Sequence, residues 1–147
     1  MKDLKQLDGF EHLQMIANAT IEQPSIFLTM GMHELEVNKG DVKILCQATE
    51  HHLNPMGGVH GGFAATVLDS VTGCAVHSLL DAGVGYGTVD LSVKMLRPVP
   101  ANQALVARAH VTHFSRAIGI AEGTLHDADG VLLASGSATC YIKRPRN

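Results

Sequence analysis

The chain has 147 residues, the size of one ordinary domain, which leaves little room for a second unit with its own core. Its formal net charge is −3 at pH 7, so it lacks the basic field that nucleic acids and anionic membranes attract. We therefore expect no nucleic-acid partner and no membrane partner, and a small ligand instead.

Cysteine usage and the N-terminal sequence both bear on the compartment. Cys46, Cys74 and Cys140 form no CxxC pair and lie in apolar segments, which is typical of free thiols in a reducing environment. Charges are spread through the first fourteen residues, which contain no apolar core of a secretory signal. We expect a cytoplasmic protein.

A short amphipathic helix is predicted near the N-terminus. Phe10 and Leu13 fall on one face at helical spacing within residues 10–18. We treat residues 1–30 as an N-terminal helical segment that packs on a single domain spanning residues 31–147.

A β-hairpin and then a long apolar helix are predicted next along the chain. Two strand-like runs between Met32 and Ala48 flank a loop whose Gly40 suits the positive φ of a hairpin turn. After an irregular loop, the apolar run predicts a helix from about Val59 to Leu80.

The rest of the chain predicts one strand after another. The first of them alternates with period two, so we expect one face to be buried and the other to meet water or a partner. The expected buried face holds Val89, Leu91, Val93 and Met95, and the other holds Thr88, Asp90, Ser92 and Lys94. Three further strands are predicted over residues 105–114, 118–126 and 131–142. The prediction is an α+β domain in which a curved antiparallel sheet wraps around the long central helix.

The most informative stretch is residues 54–69, NPMGGVHGGFAATVLD, where a turn rich in Pro and Gly leads into the apolar helix. A helix that begins at His60, Gly61 and Gly62 presents unpaired backbone amides and a partial positive charge to a developing oxyanion. The alternative is that the glycines only allow the chain to turn sharply.

Asp69 is the one acid on this helix, so we expect its carboxylate to be buried at a considerable free-energy cost. One interpretation is a structural acid that is hydrogen-bonded to an amide or hydroxyl. The other is catalytic, because a carboxylate in a dry site is suited to act as a general base or as a nucleophile. We take Asp69 as the first candidate for the catalyst.

The spacing of the two candidate groups predicts an assembly. His60 and Asp69 are nine positions apart, which the helical rise converts to roughly 13 Å along the axis. Reacting groups must lie about 3 Å from their target atoms, so one helix cannot serve one carbonyl with both groups. If both act together, a two-fold dimer would pair the Gly61 amide of one chain with Asp69 of the other.

Other site types are disfavoured by the sequence. His51, His52 and His60 could suggest a metal, but adjacent histidines point in different directions and no nearby carboxylate or thiol completes a ligand set. We expect no metal. The chain also lacks a GxSxG elbow and a glycine-rich phosphate loop, which argues against a serine nucleophile and against nucleotide hydrolysis.

At residues 54–69 the chain resembles the hotdog-fold acyl-CoA thioesterases, in particular the subgroup of the phenylacetate-pathway thioesterases and thioesterase superfamily member 2. Asn54, His60, Gly61 and Asp69 fall on that subgroup's pattern of an Asn or Gln, then HGG, then an acid on the long helix. The resemblance extends over residues 32–142 and includes GTVDLSVKMLRPVP and HDADGVLLASGSATCYI. It implies a hotdog fold and hydrolysis of an acyl-CoA thioester to the free acid and CoA.

The resemblance also implies a role for each site residue. The Gly61 amide would polarise the thioester carbonyl, Asn54 would position the acyl group or the attacking water, and His60 would support the oxyanion hole. Asp69 of the partner chain would act as a general base toward water or as a nucleophile through an anhydride, and the sequence leaves both open. Thr88 would help to hold the water, although threonine is also common in ordinary strands.

The substrate contacts and the assembly complete the prediction. Gly62 and Val59 are expected to contact substrate, while Lys94 and Arg116 could steer the CoA phosphates or could be ordinary solvated charges. No cofactor is expected, because coenzyme A is part of the substrate. We expect a homo-oligomer with a dimer as its minimum unit, arranged as a tetramer of two dimers. The alternative function is a non-catalytic acyl-CoA binding or sensing module of the same fold.

Overall fold

The computed structural model describes residues 2–146 as a six-stranded antiparallel sheet that packs against one long helix. The helices are α1 (Gly9–Ala17), α2 (Ser25–Thr29) and α3 (Gly61–His77). The strands are β1 (Met32–Asn38), β2 (Asp41–Cys46), β3 (Gly85–Met95), β4 (Leu105–Phe114), β5 (Ile118–Asp127) and β6 (Leu132–Lys143). The sheet order is β1-β2-β4-β5-β6-β3, so β1 and β3 are its edges. The α+β class and the hotdog arrangement predicted above are confirmed.

The long helix α3 is the centre of the core because it is apolar on nearly every side. It contacts β2, β3, β4, β5 and β6, and most of its residues from Phe63 to Val76 are buried. Its C-terminal end is tied to the β1–β2 turn, since the Ser78 hydroxyl donates to the carbonyl of Ala75 and accepts from the Gly40 amide. Gly40 has a φ of 75°, as the hairpin prediction requires.

The N-terminal helix α1 packs on the C-terminal end of α3. Asp8 and Glu11 form a capping box that fixes the start of α1. The Gly9 amide then donates to the carbonyl of Leu80 at 2.8 Å, and its backbone lies directly against that of His77. The helix predicted over residues 10–18 is therefore present. Because Gly9 has no side chain, α1 can approach α3 closely.

The face assignment along β3 predicted from strict alternation is wrong at Thr88. A β-bulge between Thr88 and Asp90 leaves Val89 as an extra residue, which shifts the alternation by one. Thr88 is paired with the buried Cys140 and faces the helix, as Leu91 does opposite Ala138. The expected burial is also wrong, because β3 is an edge strand and Val89 is 66% exposed.

Candidate functional site

The turn that precedes α3 is organised by the side chain of Asn54. Its Oδ1 accepts hydrogen bonds from the backbone amides of Met56 at 2.9 Å and Gly58 at 3.2 Å. Both partners are N–H donors, which fixes the orientation of the side-chain amide. Within residues 2–146 no acceptor is bonded to the Asn54 Nδ2, so this NH₂ group is available to a ligand or a water.

His60 caps the N-terminus of α3. Its Nδ1 accepts a hydrogen bond from the Gly62 amide at 2.7 Å, so the neutral ring carries its proton on Nε2. The ring is exposed, and Nε2–H is therefore a free donor at the helix tip. A side chain added to Gly62 would meet the His60 ring, which explains the glycine at that position.

The cap leaves the Gly61 amide free. Of the first three amides of α3, that of Gly62 is bonded to His60 Nδ1 and that of Phe63 to the carbonyl of His60 at 2.9 Å. The Gly61 amide has no acceptor within the part of the chain that the structure describes. Gly61 therefore presents an unpaired donor at the positive end of the helix dipole, where an oxyanion would be stabilised.

Asp69 lies in the middle of α3 and has no partner for its carboxylate. Its Oδ1 is fully buried and accepts no hydrogen bond, and the side chain forms no ion pair within residues 2–146. The structural interpretation required a bonded amide or hydroxyl, and neither is found for Oδ1. An unpaired carboxylate oxygen in a dry position is a costly feature, which favours a functional role.

Two thiols and a phenol surround Asp69. Burial, and to a lesser extent the negative charge of Asp69, raise the pKa of Cys74 to about 12. Burial also raises the pKa values of Tyr86 and Cys140, and both groups lie within the field of the same carboxylate. These neighbours therefore stay neutral at ordinary pH and bring no charge of their own to the cluster.

Thr88 belongs to the same cluster. Its hydroxyl oxygen lies 3.8 Å from the sulfur of Cys140, across the β3–β6 pairing. Because the bulge turns Thr88 toward the helix, its hydroxyl lies next to a thiol that is within the field of Asp69. Alternation along the sequence placed Thr88 on the opposite face, so only the strand register shows this proximity.

A pocket of about 320 Å³ opens beside the Gly61 amide. Its walls are mostly apolar, and they come from the tip of α3 and from the segment that follows β3. The lining residues are Val59, His60, Gly61, Ala64, Met95, Leu96, Arg97, Pro98, Val99 and Ala134. Sequence reasoning identified Val59, His60 and Gly61 but missed the part of Met95 in this pocket, because no local signal links the end of β3 to the start of α3.

The remaining candidates lie outside this pocket. Lys94 projects from the opposite face of the sheet, and Arg116 is exposed in the β4–β5 turn. His52 is held structurally, since its Nδ1 accepts from the Thr49 amide and its Nε2 donates to the carbonyl of Thr29. The described residues contain no group of three His, Cys, Asp or Glu side chains that could hold a metal ion.

Comparison with known proteins identifies the family. The model of the thioesterase superfamily matches residues 56–134, more than half of the chain. The chain belongs to the thioesterase superfamily. The match to this thioesterase family begins in the turn before α3 and contains Gly61, Asp69 and the whole of β3.

Individual relatives and a solved structure agree with this thioesterase assignment. Mouse acyl-coenzyme A thioesterase 13 is 27% identical over 109 residues, which are 72% of this chain and 77% of that protein. A protein of Halobacterium salinarum, provisionally named an esterase, is 32% identical over 107 residues, which are 69% and 70% of the two chains. The crystal structure of a phenylacetic acid degradation-related protein of Ralstonia eutropha, provisionally named a thioesterase, matches this structure with a TM-score of 0.79 and 30% sequence identity. The match covers 88% of this chain and 98% of that protein.

One further property of this thioesterase is the length and hydropathy of its helices. No helix within residues 2–146 combines the length and the apolar character that crossing a bilayer requires.

Proposed function

We propose that this chain hydrolyses an acyl-CoA thioester to the free acid and CoA, at a site shared by two protomers. The observation that carries the proposal is the buried Oδ1 of the half-buried Asp69, which has no partner on a helix that begins with a free amide. The choice of an acyl-CoA rather than another thioester is supported by the mouse relative, which is named for that activity.

The proposed chemistry begins at the helix tip. The Gly61 amide would donate to the thioester carbonyl oxygen, and this bond would strengthen as negative charge develops there. The free Nδ2 of Asn54 and the Nε2–H of His60 are further donors, in the turn before α3 and at its N-cap. The Gly62 amide is already bonded to His60, so Gly62 would contribute space rather than a hydrogen bond.

Asp69 of the partner chain would complete the reaction in one of two ways. As a general base it would take a proton from water while the water oxygen attacks the carbonyl carbon and the carbon–sulfur bond breaks. As a nucleophile it would form an anhydride and expel the CoA thiolate, after which water would release the acid. Thr88 is suited to hold the water in either case. No metal or cofactor is needed for these steps.

The edge strand β3 supports the sharing of the site. Gly61 contacts Met95 at the end of β3, while Thr88 near its start belongs to the Asp69 cluster. If β3 pairs antiparallel with the same strand of a second copy around a two-fold axis near Leu91, the start of one strand lies beside the end of the other. Asp69 of each protomer would then approach the Gly61 amide of its partner, on the same side of a continuous sheet.

Exposure along β3 is consistent with this pairing. An edge strand of eleven residues offers a row of unpaired backbone groups to another strand. Its apolar side chains are also uncovered in the single chain, with Val89 66% and Leu91 36% exposed. The dimer is the minimum unit of the proposal, and the association of two dimers into a tetramer is a further expectation.

The alternative is an acyl-CoA binding or sensing module of the same fold. Such a module would use the pocket and the Gly61 amide but would gain nothing from an unpaired buried acid. Lys94 and Arg116 remain candidates for steering CoA phosphates in both cases. Both lie outside the pocket, so neither would contact a group bound inside it.

The test is CoA release, followed with a thiol reagent over short, medium, long and aromatic acyl-CoAs. We expect turnover by the wild type and a loss of at least about 100-fold in Asp69→Asn, which keeps the shape of the side chain but removes its basicity. Asp81→Asn, in the exposed turn after α3, is the matched control and should retain full activity. Unchanged turnover in Asp69→Asn would refute the assignment, and binding without turnover by the wild type would favour the alternative.

Sharing is tested by mixing two inactive variants. A heterodimer of Asp69→Asn with Asn54→Ala contains one site with both residues intact and one site with neither. Random exchange of equal amounts should therefore restore about a quarter of wild-type activity. An absence of recovery, despite exchange proven by differently tagged chains, would show that each chain works alone.

A further inference from the structure

We propose that Met95 is a specificity-determining residue that limits the size of the acyl group, an inference that rests on the hydrolysis proposed above. Met95 is the last residue of β3 and lies opposite the small, buried Ala134. Its side chain packs on Gly61 and lines the apolar pocket.

The contact between Met95 and Gly61 is direct. A Cβ added to Gly61 would lie 2.7 Å from the sulfur of Met95 and 3.0 Å from its terminal methyl group. The thioether therefore packs on the backbone that carries the free amide. An acyl group whose carbonyl oxygen accepts from that amide must pass along Met95 to enter the pocket.

The chemistry of the pocket favours an acyl group over the pantetheine arm of CoA. Pantetheine carries amide groups that need hydrogen-bond partners when buried, whereas an acyl chain needs only apolar walls. Among the lining side chains only His60 and Arg97 are polar, and Arg97 already donates to the carbonyl of Leu132 at 2.7 Å. The remaining side chains of the lining are apolar.

The volume of the pocket sets the size class. A protein cavity of about 150 Å³ accepts one benzene ring, so 320 Å³ corresponds to roughly twelve carbon-sized atoms. We infer a compact acyl group, a medium-length aliphatic chain or a single ring with a short linker. A long fatty acyl chain would require Met95 to move. Methionine is unbranched and flexible, so shortening it should lengthen the pocket without disturbing the fold.

The experiment measures kcat/KM for a series of straight-chain acyl-CoAs from four to sixteen carbons and for one aryl-acyl CoA. In Met95→Ala we expect the ratio of long-chain to short-chain kcat/KM to rise about tenfold or more. Met95 is 56% exposed, so its truncation should leave the protein folded. Met15→Ala, on α1 and outside the pocket, is the matched control and should leave the chain-length profile unchanged.

A second variant tests the contact itself. Gly61→Ala keeps the backbone amide but pushes the Met95 thioether aside, and we expect it to shift the preference toward shorter acyl groups. Met95→Ala introduced into Gly61→Ala should reverse that shift, because the colliding atoms are removed. Independent, additive effects of the two substitutions would contradict the proposed contact.

The outcomes separate the two proposals. A uniform change in kcat/KM for every acyl-CoA in Met95→Ala, or no change at all, would overturn the role of Met95 and leave hydrolysis intact. An absence of turnover by the wild type over the whole series would instead refute the proposed function, and the inference about Met95 with it.

Discussion

At the scale of single residues, His60 combines two roles that sequence alone could not separate. Its Nδ1 caps α3 through the Gly62 amide, and its Nε2–H remains free at the proposed oxyanion site. The cap also leaves Gly61 as the unbonded amide of the first turn. Helix stability and site geometry therefore depend on the same side chain.

The two roles of His60 can be separated by substitution. Asparagine is a good N-cap residue and alanine is not, so His60→Ala should lower the free energy of unfolding by about 1 kcal/mol relative to His60→Asn. Denaturant unfolding of both variants measures the difference. Equal stabilities would show that the capping bond contributes little. If both variants lose activity equally, the donor on Nε2 is required in addition to the cap.

At the scale of elements, the backbone of Gly9 in α1 lies very close to the backbone of His77 in α3. A Cβ on Gly9 would collide with the carbonyl oxygen of His77, which is backbone and cannot rotate away. The first turn of α1 must therefore carry glycine to remain docked. The Gly61 amide lies at the opposite end of α3.

We expect Gly9→Ala to reduce the free energy of unfolding by about 2–3 kcal/mol, since α1 would have to shift away from α3. Thermal or denaturant unfolding measures this change. Gly85→Ala is the matched control, because nothing lies within 4 Å of the position of its added Cβ and Gly85 is not among the glycines with positive φ. A Gly9→Ala variant as stable as the control would show that α1 docks differently.

The same junction makes stability depend on pH. Burial, and to a lesser extent the neighbouring His12, lower the pKa of His77 to about 4. The other titratable group against the ring is Tyr86, whose burial raises its pKa, so it stays neutral. The unfolded chain binds a proton at His77 near pH 6.5 and the folded chain does not, so folding is progressively weakened as the pH falls from 6.5 to 4.

We expect this linkage to cost up to about 3 kcal/mol at pH 4. His77→Gln should flatten the dependence of the unfolding free energy on pH between 6.5 and 4, while other groups keep their own contributions. Denaturant unfolding at several pH values measures the slope. An unchanged slope in His77→Gln would show that the histidine is protonated in the folded state.

At the scale of the whole molecule, β3 is an edge strand with no hydrogen-bonded neighbour on one side in a single chain. It carries exposed apolar side chains and spans the distance between the contacts of Gly61 and those of Asp69. Pairing of two such edges would complete both the sheet and the proposed site. Assembly and activity should therefore be lost together.

Leu91→Lys tests this link, because it would place two like charges near the proposed two-fold axis. We expect a shift from dimer to monomer in sedimentation and a parallel loss of thioester hydrolysis. Val131→Lys introduces the same charge at an exposed apolar position outside β3 and should leave both properties unchanged. A fully active monomer of Leu91→Lys would refute the shared site.

Local patterns in the sequence determined the elements and the candidate motif. The apolar run of α3, the glycine turns and the alternation in β4, β5 and β6 depend on residues close together in the chain, so helix, hairpin and strands were predicted near their observed bounds. The spacing of Gly61 and Asp69 is fixed by helical rise, and it predicted that one helix could not present both groups to one carbonyl.

The tertiary structure alone decided what lies next to these groups. The bulge that turns Thr88 toward the helix depends on pairing with β6, some fifty residues away in sequence. The packing of Met95 on Gly61, and the lack of any partner for Asp69 Oδ1, likewise depend on contacts between elements that are distant along the chain. Periodicity reports which residues share a face of one element, but the neighbours of that face are set only when sheet and helix pack together.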